Sequence, residues 1–167
     1  MLFSDIVDCS VFIDTNILIY AHTNTRFTPA CEYILDKILE GQITGYLNST
    51  VLDEFFHKML LTQIYADTGL KPQQAIPWIK KNPEKVKKFT LPFTITEEII
   101  ENYPFHIVDT TPTLKQAIEY ARRYGLLFSD ALHAACCAYY SLDHIMTNDN
   151  DFIRISDLSV IKPELIH

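Results

Sequence analysis

The chain reads as an α/β domain with a mostly parallel sheet, and three observations point there. Short β-branched and aromatic segments alternate with helical patterns from end to end, the ordering expected of strand–helix–strand units. Punctuating residues such as Gly41, Asn48 and Gly125 separate these segments. Acidic residues recur where strands end and where the following helices begin, the edge at which parallel sheets bind their ligands.

The elements follow in order. Residues 11–13 form a first strand, extending back to Ser10, that ends at Asp14, and a turn or two of helix follows over 17–22. Pro29 suits the opening of a helix over 30–40 that Gly41 closes. A second strand spans 43–47, and Ser49 or Thr50 caps a helix running to about Ala66, with Thr50-x-x-Asp53 matching the capping pattern. Pro72, Pro77, Pro83 and Pro92 break the pattern over 69–92, which predicts short helices and a mobile basic connection. One more turn over 96–102 precedes a third strand over 105–108 and an amphipathic helix over 113–124 ended by Gly125. A helix over 129–142 is apolar almost all round, with Ser129 as its cap and Asp130 at its first position, so it should be buried. Strands over 144–147 and 158–161 complete the set.

A length of 167 residues suits one domain, here a single unit over 1–167 with a basic insertion around 69–102. With 48% hydrophobic and 21% charged residues, disorder, collagen-like repeats and a long coiled coil are excluded. No apolar run approaches the roughly 18 residues of a membrane span. Asp5 and Asp8 stand where a secretory signal carries basic residues. The expected setting is therefore the cytoplasm. Cys9, Cys31, Cys136 and Cys137 show no metal-binding spacing, and the last two read as small core residues.

Net charge is −7, but it is unevenly spread. Residues 71–90 hold Lys71, Lys80, Lys81, Lys85, Lys87 and Lys88 against Glu84 alone, a local +5, which leaves −12 on the rest. A basic arm on an acidic body suits phosphate contacts, which makes Lys80, Lys81, Lys85, Lys87 and Lys88 candidate phosphate-binding residues. A solvated helix face is the plainer reading of the same charges.

Four carboxylates from distant parts of the chain converge on one predicted edge. Asp14 and Asp149 follow strands, while Glu54 stands about one turn into a helix and Asp130 at the first position of another. Singly, each is ordinary turn or helix-dipole chemistry. Together they are unfavourable, since like charges about 4 Å apart repel by about 4 kcal/mol at an effective dielectric of 20. A bound cation relieves that repulsion, and hard oxygen donors without His or Cys suit Mg²⁺ or Mn²⁺ rather than zinc. Such a centre activates water for phosphodiester hydrolysis. Asn16 and Thr147 flank two of the acids and are placed to orient a carboxylate or a water. Asp151 is expected to turn away from the edge, because the neighbouring Phe152 packs inward.

These residues resemble the PIN-domain ribonucleases, and among them the VapC-like toxins of toxin–antitoxin pairs. The matching pieces are Val11-Phe12-Ile13-Asp14-Thr15-Asn16, Ser49-Thr50-Val51-Leu52-Asp53-Glu54, Phe128-Ser129-Asp130-Ala131-Leu132-His133-Ala134-Ala135, and Met146-Thr147-Asn148-Asp149-Asn150-Asp151-Phe152. Each is weak alone; the ordered set covers nearly the whole chain. The resemblance implies an α/β/α sandwich and a metal-dependent endoribonuclease. It places Asp14, Glu54, Asp130 and Asp149 around Mg²⁺ or Mn²⁺ and implies products with 5′-phosphate and 3′-hydroxyl ends. It also implies a homodimer silenced by an antitoxin. The stretch from about Gly69 to Asn102 is longer than in the shortest toxins.

Two other classes compete. A PIN fold turned into an interaction or RNA-binding module, with little catalysis, would have no reason to keep four repelling acids. A haloacid-dehalogenase-type phosphotransferase needs a second Asp where this chain has Asn16, and a response-regulator receiver needs adjacent acids near its first strand end. His133, one turn beyond Asp130, and the aromatic residues Trp78, Tyr139 and Tyr140 are better read as packing groups than as reacting or base-stacking ones.

Overall fold

The computed structural model describes Ile6 and residues 8–164; Asp5 lies outside the described residues. Five parallel strands make one sheet: β1 (Cys9–Ile13), β2 (Ile43–Asn48), β3 (His106–Val108), β4 (His144–Met146) and β5 (Ser159–Ile161), in the order β3-β2-β1-β4-β5. Every pairing among them is parallel, and β1 is central, with Phe12 opposite Tyr46 on one side and Ile145 on the other. Val11, Phe12 and Ile13 are fully buried, as a strand covered on both faces requires.

The helices are α1 (Thr15–Ala21), α2 (Thr28–Leu39), α3 (Ser49–Thr68), α4 (Pro72–Lys81), α5 (Pro83–Val86), α6 (Leu91–Asn102), α7 (Leu114–Tyr124) and α8 (Phe128–Tyr139). Right-handed connections from β1 to β2 to β3 put α1–α6 on one face of the sheet; the return from β3 to β4 puts α7 and α8 on the other. Packing follows this division, α3 lying against α1 and α6 while α7 lies against α8. The strand order reverses at β1, so the crevice between the ends of β1 and β4 is the switch point where such sheets bind ligands. No helix among the described residues is long and apolar enough to cross a membrane.

Several boundaries differ from the sequence expectation for local reasons. Asp14 itself caps α1, accepting from Thr15 N at 2.7 Å, so that helix begins two residues early. The cap of α3 is Asn48, not Ser49 or Thr50: its Oδ1 accepts from Val51 N at 3.1 Å, and Thr50 and Asp53 form no capping box. Ser129 does not cap α8, which starts at Phe128 with Leu127 before it; Asp130 is therefore the third helical residue rather than the first. α8 also ends at Tyr139, before the expected Leu142.

The largest difference is at 69–102. The expected short helices are there as α4 and α5, and they fold back on the far half of α3. Buried Leu60, Ile64 and Ala75, with Phe56, Leu61, Leu70, Trp78, Ile79, Val86 and Phe89 around them, make a second small core. α6 runs three turns rather than one, and Phe93 meets Phe56 edge-on at 5.3 Å. Pro72, Pro83 and Pro92 open helices, where a missing N–H costs nothing. Gly45 in β2 lets the chain approach closely, since a Cβ there would lie 2.7 Å from the Phe105 ring.

Candidate metal centre

The sheet edge presents a cleft of about 430 Å³ lined by Asp14, Thr15, Asn16, Ile19, Glu54, His57, Lys58, Leu127, Ser129, Asp130 and Asp149. All four sequence-predicted carboxylates are there. Asp14 comes from the end of β1, where its N–H continues the ladder by donating to Met146 O at 3.0 Å. Glu54 comes from the second turn of α3, Asp130 from the first turn of α8, and Asp149 from the loop after β4.

Asp14 is the most deeply set, with 7% of its surface exposed. Its Oδ1 accepts from Thr15 N, and its Oδ2 accepts from Thr147 Oγ1 at 2.5 Å and from Asn16 Nδ2. Asn16 Nδ2 also reaches Thr147 Oγ1 at 2.9 Å, and its Oδ1 accepts from Asn148 N at 3.0 Å. Thr147 Oγ1 accepts from Asp149 N at 2.9 Å. The two residues expected to orient the acids thus tie the β1 and β4 loops together. Glu54 is held separately, Oε2 accepting from Thr15 Oγ1 at 2.9 Å.

Asp151 departs from expectation. Phe152 is fully buried as foreseen, yet the Asp151 carboxylate joins those of Asp130 and Asp149, one oxygen from each lying within 4.8 Å of the others. Asp151 N donates to Asp149 Oδ1 at 2.8 Å, and Arg154 pairs with Asp151 at 2.7 Å. The 3-10 turn over Asp151–Arg154 sends consecutive side chains in different directions, so an inward Phe152 does not force Asp151 off the rim. Asp130, Asp149 and Asp151 therefore make a tight group, with Asp14 and Glu54 lining the same cleft.

Burial pushes the Asp14 carboxyl up to about 6, against the pull of its Thr147 and Thr15 hydrogen bonds, with Asp130 and Glu54 adding repulsion. Burial and the carboxylates of Asp149, Glu54 and Asp151 likewise push Asp130 up to about 6. Among the described residues, none of Asp14, Glu54, Asp130 and Asp149 has an ion-pair partner. A repelling, all-oxygen donor set whose four expected acids form no ion pair fits a hard divalent metal.

His57 and Lys58 at the rim were not singled out from sequence, although they stand three and four residues after Glu54 and so share its helix face. His133 does not line the cleft. It is buried beneath it against Phe12, Nδ1 facing Asn48 Nδ2 at 3.2 Å and Nε2 without a partner, and burial pushes its pKa down to about 4. Trp78 packs against Phe89, and Tyr139 against Tyr140.

A parallel α/β domain with an acid-lined crevice at its switch point is a domain built to carry a divalent cation. The chain belongs to the PIN-domain family, whose family model matches residues 11–158. It is 31% identical over 153 residues to Ribonuclease VapC2 of Methanocaldococcus jannaschii, covering 91% of this chain and 93% of that protein. It is 26% identical over 159 residues to Ribonuclease VapC6 of the same organism, covering 92% and 97%. Among solved structures it resembles VapBC2 from Rickettsia felis bound to a promoter DNA fragment, with TM-score 0.55 and 18% identity over 93% of this chain and 99% of that one. A toxin–antitoxin complex from Klebsiella pneumoniae gives TM-score 0.53 at 17% identity, again over 93% and 99%. At these identities the structures speak for the fold.

Proposed function

We propose that the chain is a metal-dependent endoribonuclease, the toxin of a type II toxin–antitoxin pair, acting as one nuclease domain with the 69–102 insertion as part of it. The observation that carries this is the meeting of Asp14, Glu54, Asp130 and Asp149 in one cleft at the switch point. The full-length similarity to two proteins named ribonucleases supports the substrate class.

Bound Mg²⁺ or Mn²⁺ supplies an activated water and neutralises charge developing on the phosphate and the leaving oxygen. The chain's own residues prepare that chemistry. Asp14, Glu54, Asp130 and Asp149 are the metal-holding acids. The three hydrogen bonds from Thr15 N, Thr147 Oγ1 and Asn16 Nδ2 lock the Asp14 carboxylate in one orientation, which keeps its lone pairs from wandering when the cation leaves. Thr15 Oγ1 does the same for Glu54. Ile19 and Leu127 give the cleft apolar flanks that reduce competing solvation of the phosphate. The expected partners are RNA, an antitoxin protein and a second copy of the chain, in the cytoplasm.

The test is cleavage of a mixed tRNA and rRNA pool with Mn²⁺, Mg²⁺ or EDTA, comparing wild type with Asp14→Asn. Discrete metal-dependent cuts that vanish in the variant are expected. A folded, partner-free preparation that cuts nothing in either metal would instead make the protein a PIN-fold binding module.

A further inference from the structure

We propose that α4 and α5 form an arm that grips the phosphate backbone of RNA leading out of the acidic cleft. The substrate class rests on the ribonuclease reading above; the arm itself rests on charge and packing. Lys71, Lys80, Lys81, Lys85, Lys87 and Lys88 are all exposed. Of these six, only Lys87 has a carboxylate partner among the described residues, Glu84 at 2.7 Å. α4 contains no acid, so no partner three or four residues away on that helix offsets its lysines. The α4 dipole favours Lys80 and Lys81 at that helix's end, but α5 is a single turn and gives no comparable reason for Lys85, Lys87 and Lys88. The result is a local +5 on a body of −12.

That body repels the polyanion its cleft is to receive, and a cationic surface close to the cleft supplies the missing attraction. The arm packs on the helix that also carries Glu54. Ile64, in its core, and Glu54, at the cleft, lie ten residues apart on the one helix α3, about 15 Å along the axis. His57 and Lys58 stand at the rim between them. Trp78 is stacked on Phe89 at 6.3 Å with Lys85 Nζ 5.7 Å from its ring centre, so the arm offers charge and no free aromatic platform. It holds backbone without reading bases.

The test is RNA binding in EDTA, where no cutting occurs, across a salt series. The probes are oligouridylate and a tRNA pool, and the variant carries Lys80, Lys81, Lys85, Lys87 and Lys88 all changed to Gln. With about 0.7 of slope per phosphate contact on single strands, losing three or more contacts lowers the slope of log K against log salt by at least about 2. The same five changed to Arg keep the slope. In metal, the Gln variant keeps its kcat and raises its KM. A slope change below about 0.7 returns the lysines to a solvated face and overturns the proposal, whether or not the protein cuts RNA. Equal competition by polyglutamate overturns RNA as the occupant in favour of an acidic protein segment. If the fivefold variant does not fold, Lys80/Lys81→Gln and Lys85/Lys88→Gln carry the comparison separately. Absence of cleavage with a normal lysine-dependent slope fails the ribonuclease reading and leaves the arm standing.

Discussion

Changing Asp14 to Asn separates the cost of the acidic centre from its use. Raising a carboxyl from 3.8 to about 6 makes its charge cost the metal-free fold about 3 kcal/mol above pH 6, at about 1.4 kcal/mol per pH unit. Asparagine removes that charge with almost no change of shape. It also turns an NH₂ toward groups that had been donating to Oδ2, Thr147 Oγ1 and Asn16 Nδ2. The threonine hydroxyl can rotate to accept; the Asn16 amide is held by Asn148 N. One mismatched hydrogen bond costs about 1–3 kcal/mol, leaving a net gain of zero to about 2 kcal/mol. At about 2–4 °C per kcal/mol for a chain of this size, the metal-free Tm at pH 7.5 rises by up to roughly 8 °C. The sign with pH is fixed. A folded pKa above the unfolded one means that wild type regains stability as pH falls from about 6 toward 3.8, so the advantage of the variant shrinks over that window and is gone near pH 4. Mg²⁺ or Mn²⁺ raises the Tm of wild type at pH 7.5 and does much less for the variant. Thermal unfolding in EDTA at several pH values decides the matter. A metal-free variant several degrees less stable than wild type at pH 7.5 would show that Asp14 is kept for the fold, and that its buried charge carries no such cost.

Three further outcomes are expected. Thr147→Val removes the hydroxyl that links Asp14, Asn16 and Asp149, and should weaken metal affinity about 10–100-fold, read by titrating Mn²⁺ against unfolding temperature. Gly45→Ala drives a methyl to 2.7 Å from the Phe105 ring and 3.0 Å from Ile38 Cδ1, and should cost about 1–3 kcal/mol in urea unfolding. His133 is buried neutral with its pKa lowered from 6.5 to about 4, so its linkage runs opposite to that of Asp14: stability is lost as pH falls from 6.5 toward 4. His133→Phe should abolish that share of the acid sensitivity, seen as a shallower decline in unfolding free energy across those pH values.

The sheet and its acids were legible because their signals are local. β-branched runs ended by Asp14 and Asn48 mark strands, and parallel order sends every strand end to one edge. What was missed depends on contacts between distant segments. The prolines of 69–92 read as breaks, and only the apolar surface of α3 beyond Leu60 shows that helices starting at Pro72 and Pro83 have somewhere to pack. Asn48 displaced Ser49 and Thr50 as a cap because Leu47 and Asn48 continue the strand against Ile107 and Val108, a pairing invisible in the segment itself. Asp151 departs from the alternation expected about Phe152 because the backbone turns there as a 3-10 helix.

The central position of β1 also bears on when during synthesis the protein can become active. Asp14 is made early, but the strand it ends needs β4 beside it, Phe12 and Ile13 pairing with Ile145 and Met146. Thr147 and Asp149, which orient and complete the acids, are joined to the chain well after Asp14, Glu54 and Asp130. A growing chain therefore carries three of the four carboxylates and an open edge along its middle strand, without the means to hold them in register. Until β4 and the loop after it have been made, the growing chain has no assembled acidic cleft.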